Sequence, residues 1–326
     1  MRTAGLGVAS FSALVGTVVA SLPALAQMNQ LEIREPKVEA GEFELEYLGD
    51  YNFNPPRRRF LVEPSGSLLA DDNDFSRQRH TLGLGYGLTR WLSLQLAVEA
   101  EEERLDEPGT TAGINAFGPL KVTEIELEAT VVLVPARKEG WGVAALIEHN
   151  VALDRRETDQ LFLGSALQYA SGPWTATANL YAVRHFGGRE ELDGAPIRDE
   201  RWDFQYAAQL KYRVNEGLAL ALEGYGVVER LGHSETKSKE RERFGDFDRH
   251  LLGPVIYYSW GNEGDRAGHS KSGKGLRVRA AERGNDEDDK KSDDDGPRYT
   301  VGAGVLFGLN DNTSNVALKW ALSVEF

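Results

Sequence analysis

The sequence predicts an all-β protein: a single antiparallel up-and-down transmembrane β-barrel of about twelve strands. Three observations lead there. Apolar and polar residues alternate with a period of two in segment after segment, the linkers between segments alternate between short and long, and the last segment, Val316 to Phe326, keeps one apolar face to its final residue. In that segment Val316, Leu318, Trp320, Leu322, Val324 and Phe326 share one face of an extended strand, and Ala317, Lys319, Ala321, Ser323 and Glu325 share the other. A helix would scatter both sets.

Composition is compatible with a barrel and excludes the helical alternative. With 27% charged residues in 326, no segment beyond residue 26 approaches the roughly 20 consecutive apolar residues that a spanning helix needs. A barrel shows lipid only every second residue, so its mean hydropathy can be that of a soluble protein. The first 26 residues differ in kind: Arg2 is followed by the apolar run Leu6 to Ala20, and Pro23 precedes Ala24-Leu25-Ala26. This is the pattern of a secretory signal peptide cleaved before Gln27, which leaves residues 27–326 as the barrel. The absence of cysteine excludes disulfides and a lipoprotein anchor. A formal net charge of −14 argues against nucleic acid as a partner.

After a polar lead, Gln27 to Glu39, the first strand alternates Phe43, Leu45 and Tyr47 with Glu44 and Glu46. A polar loop from Asp50 to Phe75 carries Arg57, Arg58 and Arg59. The clearest hairpin follows. Leu82, Leu84 and Tyr86 alternate with Gly83, Gly85 and Gly87, and beyond the turn Leu88-Thr89-Arg90, Leu92, Leu94, Leu96 and Val98 alternate with Ser93, Gln95, Ala97 and Glu99. The glycines leave the inner face bare, for neighbouring side chains or for an opening. After Glu101 to Gly118, Ile125, Leu127, Ala129 and Val131 alternate with Glu124, Glu126, Glu128 and Thr130. Three glutamates in register are costly in a dry core, and a wet interior removes the difficulty.

The fifth strand runs from Trp141 to Glu148, and the sixth and seventh, Leu161–Tyr169 and Trp174–Tyr181, flank Ala170–Pro173. The eighth alternates Trp202, Phe204, Tyr206, Ala208, Leu210 and Tyr212 with Asp203, Gln205, Gln209, Lys211 and Arg213. The ninth carries Glu223, and the tenth, Arg249 to Trp260, has its phase blurred by Pro254. Residues 261–297 are low-complexity, Gly/Lys/Ser-rich and then acidic, with the composition of a disordered insertion. Tyr299 to Phe307 and Val316 to Phe326 complete the count.

Short turns fall near residues 88, 135, 171 and 215, and longer loops near 60, 110, 157, 193 and 240. That alternation separates short periplasmic turns from long external loops, and an even strand count puts both termini in the periplasm. By parity the 261–297 insertion falls on the short-turn side; a count wrong by one strand would make it an external loop. Trp91, Trp141, Trp174, Trp202, Tyr169, Tyr212 and Tyr299 near strand ends suit interfacial girdles.

The C-terminal strand, closing on Phe326, resembles the final strand of bacterial outer-membrane barrels, where the terminal aromatic is read by the barrel assembly machinery. Three stretches resemble a family of proteobacterial outer-membrane barrels described as transporters, akin to those linked to the meta-pathway of phenol degradation. They are Gly41-Glu42-Phe43-Glu44-Leu45-Glu46, the run Gly85-Tyr86-Gly87-Leu88-Thr89-Arg90-Trp91-Leu92, and Gly304 to Phe326 with its Leu306-Phe307-Gly308-Leu309. The resemblance implies an outer-membrane location, contact with membrane lipid and lipopolysaccharide, and passage of small solutes. It supplies no catalytic motif, and residues 261–297 depart from the short turn expected there.

If alternation sets the faces, the lumen is lined by Glu44, Glu46, Glu99, Glu124, Glu126, Glu128, Glu148, Asp203 and Glu223 against Lys211, Arg213 and Lys319. Such a surplus attracts cations in a narrow lumen, which points to a passive channel or transporter with a cation preference. Alternatively the acids pair with lumen bases, or with Arg57 to Arg59 should the first loop fold inward as a plug. A non-conducting structural or partner-binding barrel is a second function class. A lipid hydrolase is a third, and it would need a Ser nucleophile held against a His. His80, His149, His185 and His250 lie in or beside strands, while His233-Ser234 and His269-Ser270 are loop pairs without a surrounding motif. The acidic run Asp286 to Asp295 lacks the spacing of an EF-hand loop. No enzyme activity, metal or cofactor is therefore expected.

Overall fold

A computed structural model of the chain describes residues 31–53, 60–62, 68–70, 74–106, 117–154, 157–187, 190–192, 195–197, 201–232, 248–261, 296–310 and 313–326. The segment expected to be a signal peptide, Arg57 to Arg59, the acidic run, His233 and His269 all lie outside these residues. Among the described residues the barrel strands are β1 (Phe43–Phe53), β2 (Asp74–Thr89), β3 (Leu92–Asp106), β4 (Lys121–Val134), β5 (Gly140–Ala152) and β6 (Asp159–Ser171). They continue as β7 (Trp174–Phe186), β8 (Arg201–Arg213), β9 (Leu218–Val228), β10 (Arg249–Gly261), β11 (Arg298–Gly308) and β12 (Val316–Glu325). Each pairs antiparallel with its sequence neighbour, and β1 pairs with β12 to close the barrel. At the seam Phe43 N–H donates to the Phe326 carbonyl (2.9 Å) and Phe326 N–H to the Phe43 carbonyl (3.0 Å). Two small ribbons, Phe60–Val62 with Leu68–Ala70 and Glu190–Leu192 with Ala195–Ile197, stand in the long loops.

The period-two pattern decides which face each side chain takes. On β4, Glu124, Glu126 and Glu128 are 4–7% exposed while Leu127 between them is 52% exposed. On β8, Asp203 is fully buried and Trp202 is 41% exposed. An apolar exterior around a polar interior inverts a water-soluble protein, and it is stable where hydrocarbon replaces water outside. Closure leaves no strand edge, so every barrel strand finds ladder partners on both sides.

Turn chemistry fixes the short end. Gly172 takes φ 56° in the two-residue turn between β6 and β7, a conformation that favours glycine. Between β8 and β9, Asn215 Oδ1 accepts the N–H groups of Gly217 (3.0 Å) and Leu218 (2.8 Å). Paired aromatics ring this end on the outer face: Trp141 with Tyr169, Trp174 with Tyr212, and Trp260 with Tyr299, with centroids 5.0, 4.7 and 5.4 Å apart. Their amphipathic rings suit the headgroup level.

Pro254 leaves the phase of β10 intact, with Leu252, Ile256, Tyr258 and Trp260 all outward and exposed. The β10–β11 pairing runs from Leu252↔Phe307 to Val255↔Gly304 without the residues between. Proline has no N–H to give that ladder. Gly261 pairs with Arg298, Arg298 with Glu325, and Glu325 with Glu44, so β10 ends and β11 begins at the short-turn end. The parity count holds, and the alternative of a count wrong by one strand does not. Several strands run further than the alternation suggests: β1 reaches Phe53, β2 starts at Asp74 and β3 ends at Asp106, all at the long-loop end.

Candidate channel lumen

Twelve strands enclose more volume than their inward side chains fill. The space is taken by the polar lead itself: residues 31–42 turn inward ahead of β1 and run up the lumen. The turn is made at Gly41 (φ 85°), whose N–H donates to the Gly87 carbonyl (2.7 Å), while Gly87 N–H donates to the Glu42 carbonyl (2.9 Å). A Cβ on Gly87 would lie 1.8 Å from the Glu39 carbonyl oxygen, so the bare glycine face of β2 is where the chain enters.

Above the entry the segment touches one wall after another. Val38 packs on Val132, Ala144, Leu146 and Ala166. The carbonyl of fully buried Pro36 accepts the Ala136 N–H (2.9 Å), and Pro36 Cγ lies 2.8 Å from where a Cβ on Gly142 would stand. Glu35 Oε1 pairs with Lys211 Nζ of β8 (2.6 Å). Arg34 joins three strands and its own segment. Its N–H donates to Asn179 Oδ1 and its carbonyl accepts Asn179 Nδ2, both at 2.8 Å. Its guanidinium reaches Glu128 (2.9 Å), Glu46 (3.3 Å) and Glu32. At the tip, Leu31 packs among Ala207, Ala221, Tyr225, Val227, Leu251, Val255, Leu306 and Ala317, with Ile33 against the same cluster. Beside the tip is a small cavity lined by Leu31, Leu48, Gly49, Asp50, Arg79, Thr81 and Glu99.

Electrostatics follow from this crowding. Burial pushes the Glu32 carboxyl well above the usual carboxylate range; Arg34 opposes the rise, and Glu46, Glu128 and Glu148 add to it. Glu35 moves the other way because Lys211 sits beside it. Burial alone would lower Lys37, but Glu325 and Glu39 flank it and hold its ammonium above the usual lysine range.

The acids named from sequence fall into separate groups. Glu44, Glu46, Glu99, Glu124, Glu126, Glu128 and Glu148 share the wall made by β1 and β3–β5, with Glu99 opposite Glu124 and Glu128 opposite Glu148 in register. Arg34 gathers Glu46 and Glu128. On the far wall Glu223 accepts from Lys319 Nζ (2.7 Å), Tyr225 OH (2.5 Å), Tyr257 OH (2.5 Å) and Gln209 Nε2 (2.6 Å). Asp203 lies toward the long-loop end, 2.9 Å from His185 Nε2 and 3.2 Å from Arg201 Nε. Arg213 is exposed at the short-turn rim, 3.5 Å from the Gly172 carbonyl. Of the strand histidines, His80 bonds Tyr47 OH through Nδ1 (2.7 Å) and His250 bonds Tyr206 OH (2.9 Å), while His149 stacks on Phe186.

A closed twelve-strand barrel with an apolar exterior and a polar lumen defines a transmembrane β-barrel of the outer-membrane type. No family model and no curated protein sequence matches this chain. Solved structures do match. The COG4313 outer membrane channel from Pseudomonas putida F1 superposes with a TM-score of 0.55 at 12% identity, covering 89% of this chain and 97% of that one. The NanC porin gives a TM-score of 0.42 at 10% identity, covering 86% and 98%. The similarity is one of fold.

Proposed function

We propose that the chain is a passive channel for small solutes in the Gram-negative outer membrane, and that residues 31–42 set its constriction. The observation that carries this reading is the lumenal course of that segment, tied through Arg34 and Glu35 to β1, β4, β7 and β8. In this reading a polar conduit opens beside the segment, and its width depends on how the segment docks. In this reading the signal peptide ends at residue 26, and Phe326 beside the β1–β12 seam engages the assembly machinery. The outer belt meets lipid and lipopolysaccharide, and the acid wall of β1 and β3–β5 favours cations in the conduit.

The test is the reversal potential of the refolded mature chain in a planar bilayer under a potassium chloride gradient. A cation-preferring potential is expected, and Glu126→Gln with Glu128→Gln should move it toward zero. An anion-preferring potential, or one that the double variant leaves in place, would count against the acid wall as the selecting element. The same segment also favours a second reading, a plugged barrel with a structural role, which lasting silence would support.

A further inference from the structure

Just above the tip of the lumenal segment, on the long-loop side, four arginines turn inward. Arg77 and Arg79 lie on the face of β2 opposite exposed Leu82 and Leu84, Arg201 shares a face with Asp203, and Arg249 shares one with Leu251. Arg79 is held by Asp50, with Nη2 and Nε at 2.9 and 3.0 Å from Oδ2, and Arg201 by Asp203. Arg249 is different. Its Nη2 is 3.5 Å from Glu229 Oε1, and among the described residues neither its Nε nor its Nη2 makes a hydrogen bond, although both are buried. The Nε of Arg77 is likewise buried without one among the described residues. The charges of Arg77, Arg79 and Arg201 all bear on Arg249. Burial also holds the Glu229 carboxyl above the usual carboxylate range, and Arg249 and Arg201 oppose that rise. Buried guanidinium donors left over in this way need an acceptor.

Nε and Nη2 form the side edge of a guanidinium, which matches the two oxygens of one carboxylate. The floor beneath is apolar: Val227 is opposite Arg249 in register, and Leu251 and Leu31 lie below. We propose that Arg249, assisted by Arg77, binds the carboxylate of a small organic anion at the long-loop end of the lumen, with Leu31, Val227 and Leu251 taking its aliphatic body. The site lies above the Glu46–Glu128–Glu148 wall, so it holds the anion at the mouth. The inference deepens the channel reading and rests on it for the solute's access, but binding can be measured without conduction.

The experiment is isothermal titration of the full mature chain, folded in detergent, with sodium hexanoate, 1-hexanol and inorganic phosphate. Hexanoate should bind most tightly, since hexanol lacks the charge and phosphate the body. Arg249→Gln should weaken hexanoate about tenfold or more, which corresponds to ~1.4 kcal/mol. Arg249→Lys should recover part of that, and Arg90→Gln at an exposed turn should change nothing. Heat-modifiable gel mobility reports that each variant is folded. Equal binding of hexanol, tighter binding of phosphate, no hexanoate binding, or an unchanged affinity in a folded Arg249→Gln/Arg77→Gln barrel would each overturn the site. Hexanoate bound by a barrel that does not conduct would support the site and count against the channel reading.

Discussion

Removing residues 27–39 from the mature chain is expected to raise the single-channel conductance of the barrel severalfold. The segment is held by charge-assisted bonds from Arg34 to Glu128 and Glu46, the Glu35–Lys211 pair, and apolar packing at Leu31 and Val38. Bonds of that kind contribute ~1.5–3 kcal/mol each when shielded from water. Each ~1.4 kcal/mol shifts a docked-to-undocked ratio about tenfold, so the intact chain should be docked nearly all the time. The barrel wall does not depend on the segment, because β1 is fixed by β12 along Glu44↔Glu325 to Phe53↔Val316 and by β2 on its other edge. Recordings of intact and truncated chains in planar bilayers decide the matter. A truncated barrel that conducts no more than the intact one would show that the lumen is not the path.

Lys319→Ala is expected to be the most costly single substitution among the lumen residues, at ~3–5 kcal/mol. Glu223 is fully buried and Lys319 is 5% exposed, so removal of the ammonium strands a carboxylate that water does not reach. The hydroxyls of Tyr225 and Tyr257 still donate to Glu223, which places the loss toward the lower end of that range. Removing both charges while keeping an acceptor for Tyr225, Tyr257 and Gln209, as Lys319→Met with Glu223→Gln, should restore a large part of the stability, because no buried charge is then left unpaired. Reversible urea unfolding from lipid vesicles measures both. A single variant within ~0.5 kcal/mol of the parent would show that the pair is hydrated in the folded barrel.

The wall was legible because its signal repeats. Each strand carries its own alternation, and the side that holds Leu94 or Leu210 is set by a period that one polar residue does not erase. Pro254 blurred a single strand, and the register on either side of it carried the phase through. The lumenal segment was illegible for the opposite reason. Leu31 to Glu42 has no repeat, and its partners, Asn179, Lys211 and Glu128, lie on strands far away in sequence. The sequence instead offers an inward plug at Arg57 to Arg59, which lie outside the described residues. A signal did exist: Gly83, Gly85 and Gly87 left one face bare, and the chain enters at Gly87. The pairing of Glu223 with Lys319, with two strands between them, could not be read from sequence either. Face assignment gives the side of a wall, and closure alone decides what stands across from it.

The chain contains no cysteine, so one placed at Leu31 would be a clean reporter of where the lumenal segment lies. Folded Leu31→Cys should react with a soluble maleimide about a hundredfold more slowly than Arg137→Cys on an exposed short turn, the ratio that ~2.8 kcal/mol of docking gives. Reaction at the same rate at both positions would place Leu31 in open water and contradict a lumen filled by residues 31–42.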